Sequence, residues 1–384
     1  MEIDRVLVSP AQPRLQGDGG AERGPARRVV IVAWRDIASP QAGGSELLVD
    51  QLAAGLTARG DRVTLLCGGP AAEHGYDVLR SGGPYTQFAR APLAYARRLR
   101  HCDVVVEVCN GMPFLAPLWS RKPVVCMVNH VHTDLWPLRF RPPLSTVGRL
   151  MEQRVMPRVH RRSLVLTVSA STALELQSLG VDRGRIRLLN NGVAPAGPAA
   201  PRSAEPMFLA LGRLAEYKRI DLLLRLWDRV RPVVGGQLVI AGDGPQRSYL
   251  ESLAGPGVVF AGRVSEAEKH RLLGAAWLLV HPALIEGWGL VITEAALRGT
   301  PAVGFDVPGL RDSVEHGQTG LLARTEAEFA SAWAVLALDR GRRAAMGAAA
   351  RRHAAQLRWS TAVHHFSTVI DEAITSAARP GRRT

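Results

Sequence analysis

Short apolar runs alternate with glycine-bearing turns and helical stretches along most of this chain. Strand, loop, helix and strand in that order constrain the fold strongly, because parallel strands need a crossover helix between them. In the first half, Val-Val-Ile-Val-Ala-Trp (29–34) leads through a loop containing Gly43, Gly44 and Ser45 into a helix expected over Glu46 to Ala58. Arg59-Gly60 ends that helix and a strand follows at 63–67. Further strands are expected at 103–108, 124–130 and 163–169, the last leading into Ser169 to Ser171, which are placed to cap a helix. The stretch from Asn190 to Pro206 is rich in proline, alanine and glycine and reads as a linker. The alternation then restarts, with strands at 207–212, 237–242, 258–262, 277–281 and 301–305 and helices at 219–230, 246–254 and 265–275. From Glu326 onward the composition is helical.

The expected organisation is therefore α/β, with two consecutive parallel-sheet domains. A tail without periodicity (1–27) precedes a first Rossmann-like domain (28–195). A linker (196–206), a second such domain (207–358) and a last helix (359–378) follow. At 384 residues the chain is long enough for two cores.

Composition narrows the functional classes. Hydrophobic residues make up 47% and charged residues 21%, the balance of a globular protein. No apolar run approaches the roughly 18 residues that span a bilayer, and the first ten residues lack the basic-then-apolar order of a secretory signal. A cytoplasmic protein is expected. The net charge of +14 invites a nucleic-acid reading, but only Lys122, Lys218 and Lys269 among the 48 basic residues are lysines. Such an arginine excess reflects codon composition, and aromatic residues, at 5%, do not interleave with the charge, so no nucleic-acid partner is expected. The basicity is uneven, however. Arg139 to Arg162 carries seven arginines against the single acid Glu152, which reads either as a solvated face or as a patch meeting an anionic membrane surface. Cys67, Cys102, Cys109 and Cys126 lie in or beside apolar runs without metal-ligand spacing and read as reduced core residues. No Asp-x-Asp occurs, so no metal site is evident.

Ligands of open parallel sheets bind beyond the carboxyl ends of the strands, and the chemically suggestive residues follow strands. After 277–281 comes Glu-Gly-Trp-Gly-Leu-Val-Ile-Thr-Glu (286–294), two carboxylates flanking a glycine turn that enters a helix. Backbone N–H groups at such a turn favour an anion, and the flanking carboxylates suit sugar hydroxyls. The bland alternative is a loop charge at Glu286 and a solvated first-turn residue at Glu294. After 207–212, Arg213 and Lys218 flank a short loop and could neutralise a diphosphate; the alternative is a solvated loop pair. Gly-Asp-Gly-Pro (242–245) suits a tight turn passing close to something flat such as a base, and Arg263-Val264 follows the next strand. In the first half, Gly43 and Gly44 allow a phosphate or acceptor near the backbone. His130 and His132 stand two apart at a strand's end, without a third ligand or zinc motif beside them.

In this order the motifs resemble those of glycosyltransferase family 4, over roughly residues 28 to 360; Gly-Gly-Ser-Glu (43–46), Thr-Val-Ser-Ala-Ser-Thr (167–172) and Leu-Asn-Asn-Gly-Val (189–193) match landmarks of its first domain. The resemblance implies a GT-B fold, two Rossmann-like domains facing a central cleft. It implies a retaining, metal-independent enzyme that moves a hexose from a nucleotide diphosphate sugar to an acceptor hydroxyl without a cofactor. By the same resemblance Glu286 holds sugar hydroxyls, and Gly287, Trp288, Gly289 and Leu290 meet the sugar and distal phosphate. Arg213 and Lys218 stabilise the leaving diphosphate with Gly43 and Gly44 beside it, and Glu294 takes the ribose. Gly244, Arg263 and Val264 lie toward the base, and either His132 or His130 lies at the sugar. Transfer is expected with front-face retention, the departing phosphate taking the acceptor's proton. The acceptor could be lipid-linked, a polysaccharide or a natural product, and in the lipid case the protein would be peripheral at a membrane.

Other readings make different demands. A sugar-nucleotide epimerase of the same fold would act without an acceptor, and a phosphorylase would need one of the three lysines to anchor pyridoxal. A non-catalytic nucleotide-sugar-binding protein is disfavoured by the intact charged set, and a nicotinamide dehydrogenase by the missing Gly-x-Gly-x-x-Gly after the first strand.

Overall fold

A computed structural model describes residues 26–39, 42–70, 73–83, 85–195 and 200–378. Most of the expected tail (1–25) and residues 196–199 of the expected linker lie outside the described residues. Arg27, the last residue assigned to the tail, is anchored: its guanidinium donates to Asp61 Oδ2 at 2.5 Å and Asp371 Oδ1 at 2.7 Å. The described residues divide into two compact units, one within 193–358 and the other joining 26–192 with 359–378.

The unit formed first along the chain comprises β1 (Arg28–Val32), α1 (Gly44–Ala58), β2 (Arg62–Cys67), β3 (Asp77–Arg80), α2 (Gln87–Ala94), β4 (Val104–Val108) and β5 (Val124–Val128). It continues with α3 (Leu135–Arg139), α4 (Leu144–Leu150), α5 (Met156–Val159), β6 (Leu164–Thr167), α6 (Ala170–Ser178) and β7 (Ile186–Leu188). Its seven strands run parallel in the order β3-β2-β1-β4-β5-β6-β7, so the chain reverses its direction of travel across the sheet between β1 and β4. Ser169 caps α6, its hydroxyl accepting from Thr172 N. All four cysteines are buried and free.

The other unit comprises β8 (Met207–Leu211), α7 (Ile220–Val234), β9 (Gln237–Ala241), α8 (Arg247–Ser252), β10 (Val258–Gly262), α9 (Glu266–Ala275) and β11 (Leu278–His281). After these come α10 (Leu290–Leu297), β12 (Ala302–Phe305), α11 (Leu310–Ser313), β13 (Gly320–Ala323), α12 (Glu326–Leu338) and α13 (Arg340–Ala354). Six parallel strands run β10-β9-β8-β11-β12-β13, with the reversal between β8 and β11. Alternate residues of β8 feed opposite cores, as the strand period of two requires. Phe208 and Ala210 pack with Trp227 of α7 and Trp333 of α12. Met207, Leu209 and Leu211 pack with Leu272 of α9 and Ile292 of α10.

The last helix, α14 (Trp359–Ala378), packs on α1 in the unit that holds residues 26–192. Gly55 permits the approach, since a Cβ there would stand 2.3 Å from Val363 Cγ2.

Three strands escape the sequence reading: β3, β7 and β13, each the outermost strand at an edge of its sheet. Asp-Val-Leu-Arg and Ile-Arg-Leu are short and half-exposed, and Gly-Leu-Leu-Ala is only four residues long, so none forms a conspicuous apolar run. The strand expected over 124–130 stops at Val128, which places both histidines in the loop beyond it.

Candidate functional site

Both reversal points lie where an open sheet leaves a crevice at its strand ends, and Arg213, Lys218 and Glu286 of the residues singled out in the sequence stand at one of them. In the unit of residues 193–358, the loops after β8 and β11 flank such a crevice. It is lined by Gly212, Arg213, Lys218, His281 and Pro282 among others. Lys218 ends a single 3₁₀ turn (Glu216–Lys218), and Arg219 follows with a left-handed φ of 52° before α7 begins. That turn aims the ammonium across the crevice: Lys218 Nζ stands 2.5 Å from Glu286 Oε2. The same oxygen lies 3.1 Å from His281 Nε2, at the end of β11. Since a carboxylate only accepts, His281 carries its proton on Nε2 toward Glu286.

The three groups fix one another's charge. Burial alone would raise the Glu286 carboxyl, but the Lys218 ammonium and the His281 hydrogen bond more than offset it and hold the group well below the usual range. Burial lowers the His281 imidazole and nearby Lys218 lowers it further, so His281 is neutral at pH 7. Burial opposes the charge on Lys218, yet Glu286 raises the ammonium above its ordinary value. The side chains of Lys218 and Glu286 remain 16% and 19% exposed, so a ligand can reach them.

Glu286 begins the turn that enters α10. Gly289, with φ 80°, is the N-cap of α10, and no side chain caps the helix. Its first amides are thus left to an anion, as a helix N-terminus favours. Trp288 is buried, and its indole N–H has no hydrogen-bond partner among the described residues. The turn rests on Gly309, whose absent side chain is essential. A Cβ at Gly309 would lie 2.3 Å from Glu286 O and 2.7 Å from the Gly287 carbonyl carbon, and its φ is 82°.

Glu294 is not the solvated first-turn residue of the bland alternative. It is the fifth residue of α10, and Lys269 Nζ, itself buried, stands 2.9 Å from its Oε1 and 2.8 Å from Glu266 Oε2. Lys269 and Glu266 on α9 were not anticipated from the sequence, and neither was His281. The only signal was that Lys218 and Lys269 are two of three lysines in the chain.

The Gly-Asp-Gly-Pro turn differs from its expected use. A Cβ on Gly242 would meet Gly212 O at 1.9 Å, and one on Gly244 would meet Leu214 O at 2.5 Å. These glycines let the loop after β9 pack on the loop after β8, where Leu214 N donates to Asp243 O and Gln246 N to Leu214 O. The flat neighbour is the protein's own backbone. Arg263 Nε stands 3.5 Å from Asp243 Oδ2, and Val264 packs against the core of Leu209 and Leu272.

In the other unit, Gly43 is the N-cap of α1, and its N–H donates to Glu46 Oε2 at 2.7 Å. The helix start thus already holds a carboxylate, itself bound by Arg35 Nε at 2.9 Å, whereas Gly44 is exposed. Ser45 Oγ accepts from Asn110 Nδ2 (2.7 Å) after β4 and from Asn129 Nδ2 (2.6 Å) after β5, tying three loops together at the reversal point. Asn129 leads into His130 and His132, whose rings stack with centroids 4.0 Å apart. His132 Nδ1 is 3.1 Å from His130 O, and its backbone N–H donates to Glu152 Oε1 at 2.6 Å. Burial pushes His132 down to about 4, with the His130 carbonyl opposing and Arg139 adding to the shift. The ring is therefore neutral at pH 7, donating from Nδ1 and leaving Nε2 as the acceptor. The His132 ring is oriented by its hydrogen bond to the His130 carbonyl, and its backbone is held by Glu152.

Two family models match the chain: "Glycosyltransferase Family 4" over residues 42–196 and "Glycosyl transferases group 1" over residues 205–339. Among curated proteins it is similar to a GDP-mannose-dependent α-(1-6)-phosphatidylinositol monomannoside mannosyltransferase of Mycobacterium tuberculosis, 33% identical over 212 residues, 50% of this chain and 54% of that protein. It is also similar to the D-inositol 3-phosphate glycosyltransferase of Thermobispora bispora, 30% identical over 265 residues, 62% of this chain and 61% of that one. The chain thus spans about half the length of the curated relatives it matches. Among solved structures, Anabaena HepE in complex with UDP and glucose aligns with TM-score 0.73 at 19% identity over 90% of this chain and 100% of that chain. Sucrose-phosphate synthase of Thermosynechococcus elongatus aligns with TM-score 0.77 at 18% identity over 91% of this chain and 100% of that chain. These structural likenesses establish the fold.

Proposed function

Because the chain belongs to the family 4, group 1 glycosyltransferases, we propose that it moves a hexose from a nucleotide diphosphate sugar to an acceptor hydroxyl with retention of configuration. The observation that carries this reading is the Lys218–Glu286–His281 cluster beside the uncapped start of α10. It combines a cation for developing phosphate charge, free backbone amides, and a carboxylate that stays ionised to accept from sugar hydroxyls. Relatives that use GDP-mannose, and a neighbour of the same fold solved with UDP and glucose, support a nucleotide-sugar donor.

In the proposed mechanism Arg213 and Lys218 stabilise the leaving diphosphate, the main electrostatic demand of the transition state. These cations take the role a divalent ion plays elsewhere, and the transfer is proposed to be metal-independent. The departing phosphate receives the acceptor's proton while the hydroxyl attacks the same face. His132, neutral and oriented, is proposed to contact the sugar rather than to exchange protons. Glu294 is proposed to accept from the ribose hydroxyls, with Lys269 as the residue that positions it.

A thermal-shift and calorimetric screen against UDP-, GDP-, ADP- and TDP-sugars tests the donor reading; stabilisation by none of them would overturn it. The anomeric configuration of the product, read by NMR, tests retention. Glu294→Ala and Lys269→Met are each expected to weaken binding of the best nucleoside diphosphate by about tenfold or more, the cost of losing a charged hydrogen bond or the group that orients it. Wild-type affinity in both variants would remove Glu294 from the site.

A further inference from the structure

We propose that the exposed face of α4, with the arginines between Arg139 and Arg162, is a docking surface for a bilayer rich in anionic phospholipid. This inference does not depend on the sugar-transfer reading. The chain from Leu144 to Val159 is continuously helical, α4 passing through one π-helical turn (Met151–Val155) into α5. Its inner side is fixed by Ser145, Gly148 and Glu152, all buried and spaced three and four apart. A Cβ at Gly148 would lie 2.3 Å from Trp136 Cε3, so the helix lies flush on the Trp136 ring. Glu152 accepts from His132 N at 2.6 Å. With that side committed inward, the opposite side faces out.

What faces out has two parts. Leu144 (63% exposed), Val147 and Leu150 (54%) form an apolar ridge at helical spacing, with exposed Leu138 at the end of α3 nearby in sequence. Single exposed leucines are ordinary; several within residues 138–150 form a patch that asks for an apolar partner. All seven arginines of the segment are exposed, with Arg154 and Arg158 continuing the face of the ridge. Arg141, Arg149, Arg154, Arg158, Arg161 and Arg162 have no carboxylate in ion-pair distance among the described residues. Apolar residues able to enter the acyl boundary, ringed by unneutralised guanidiniums for phosphates, have the chemistry of an interfacial helix. Among the described residues no helix is long and apolar enough to cross a membrane, so the attachment is one of surface contact. The charge pattern selects anionic lipid over zwitterionic lipid.

The test is sedimentation of the full chain with vesicles of phosphatidylglycerol and phosphatidylcholine, and with vesicles of phosphatidylcholine alone. Binding to the mixed vesicles and not to the neutral ones is expected, weakening as salt shortens the screening length. Arg154→Gln with Arg158→Gln should lower affinity by roughly fivefold per arginine. Leu144→Ser with Leu150→Ser should lower it while leaving the salt dependence in place. Both pairs are surface changes, and unaltered circular dichroism melting confirms that they fold. Equal binding to neutral vesicles, no binding to either, or indifference to both pairs of substitutions would overturn the proposal. Binding lost only in the arginine pair, and matched by binding to duplex RNA, would identify a general polyanion surface and overturn it too.

Discussion

Replacing Lys218 by alanine is expected to reduce turnover by about two to three orders of magnitude, the range for removing one preorganised group at a developing negative charge. Two losses combine. The diphosphate loses a cation, and Glu286 loses the partner that offsets its burial. With only His281 left at 3.1 Å, the Glu286 carboxyl should titrate higher, and sugar binding should become sensitive to mild acid. Stability gives an independent readout with a defined sign. A carboxyl held below its unfolded value of 4.5 contributes stability above that pH, and the contribution is lost as pH falls toward the folded value. The melting deficit of Lys218→Ala should therefore be greatest near neutrality and shrink in acid. A deficit of about 2 kcal/mol at pH 7 lies between the values for exposed and fully buried pairs, as the partial exposure of both side chains requires. Glu286→Gln separates charge from shape, since the amide can still accept from Lys218. A Lys218→Ala enzyme with undiminished turnover, measured with the donor found in the screen, would remove the cluster from the chemistry.

The second large effect is expected at Gly309, a residue that touches no proposed ligand. Gly309→Ala puts a methyl group 2.3 Å from the Glu286 carbonyl oxygen, at a φ of 82° that alanine rarely adopts. Neither obstacle yields cheaply, because the opposing atoms are backbone. Strain and overpacking together should cost about 3 kcal/mol, lowering the melting of this unit by roughly 10 °C. Relief requires the turn at Glu286 and Gly287 to move, so turnover should fall along with stability. Differential scanning calorimetry and donor kinetics on one preparation decide it. Normal melting and normal turnover together would show that the turn tolerates displacement and does not depend on Gly309.

Much of this was legible in the residues because its signals are local. Apolar runs of strand length, glycine-ended helices and Ser169 ahead of α6 mark elements without reference to the rest of the chain. The missed strands β3 and β7 are short, half-exposed edge strands without the continuous apolar pattern that marks a central strand, and β13 is an apolar run of only four residues. Glycines gave a mixed return. Gly289 stands in the turn that enters α10 with a positive φ, whereas Gly242 and Gly244 serve contact between two of the protein's own loops. A glycine states that space is needed, and the fold states what fills it.

By itself the sequence determined that two parallel α/β sheets follow one another, that Arg213, Lys218 and Glu286 follow strand ends, and that Glu294 lies beyond the glycine turn. Local periodicity and turn chemistry carry that information. Only the tertiary structure decided which of these residues meet. The strand order places β11 beside β8, and this brings Lys218 to Glu286 across 68 positions of sequence. It also packs α9 beside α10, giving Glu294 a buried lysine as partner, and sets Gly309 beneath the turn. The periodicity of a strand records that it is buried, not which neighbour it pairs with. The electrostatics of the site arise from that pairing.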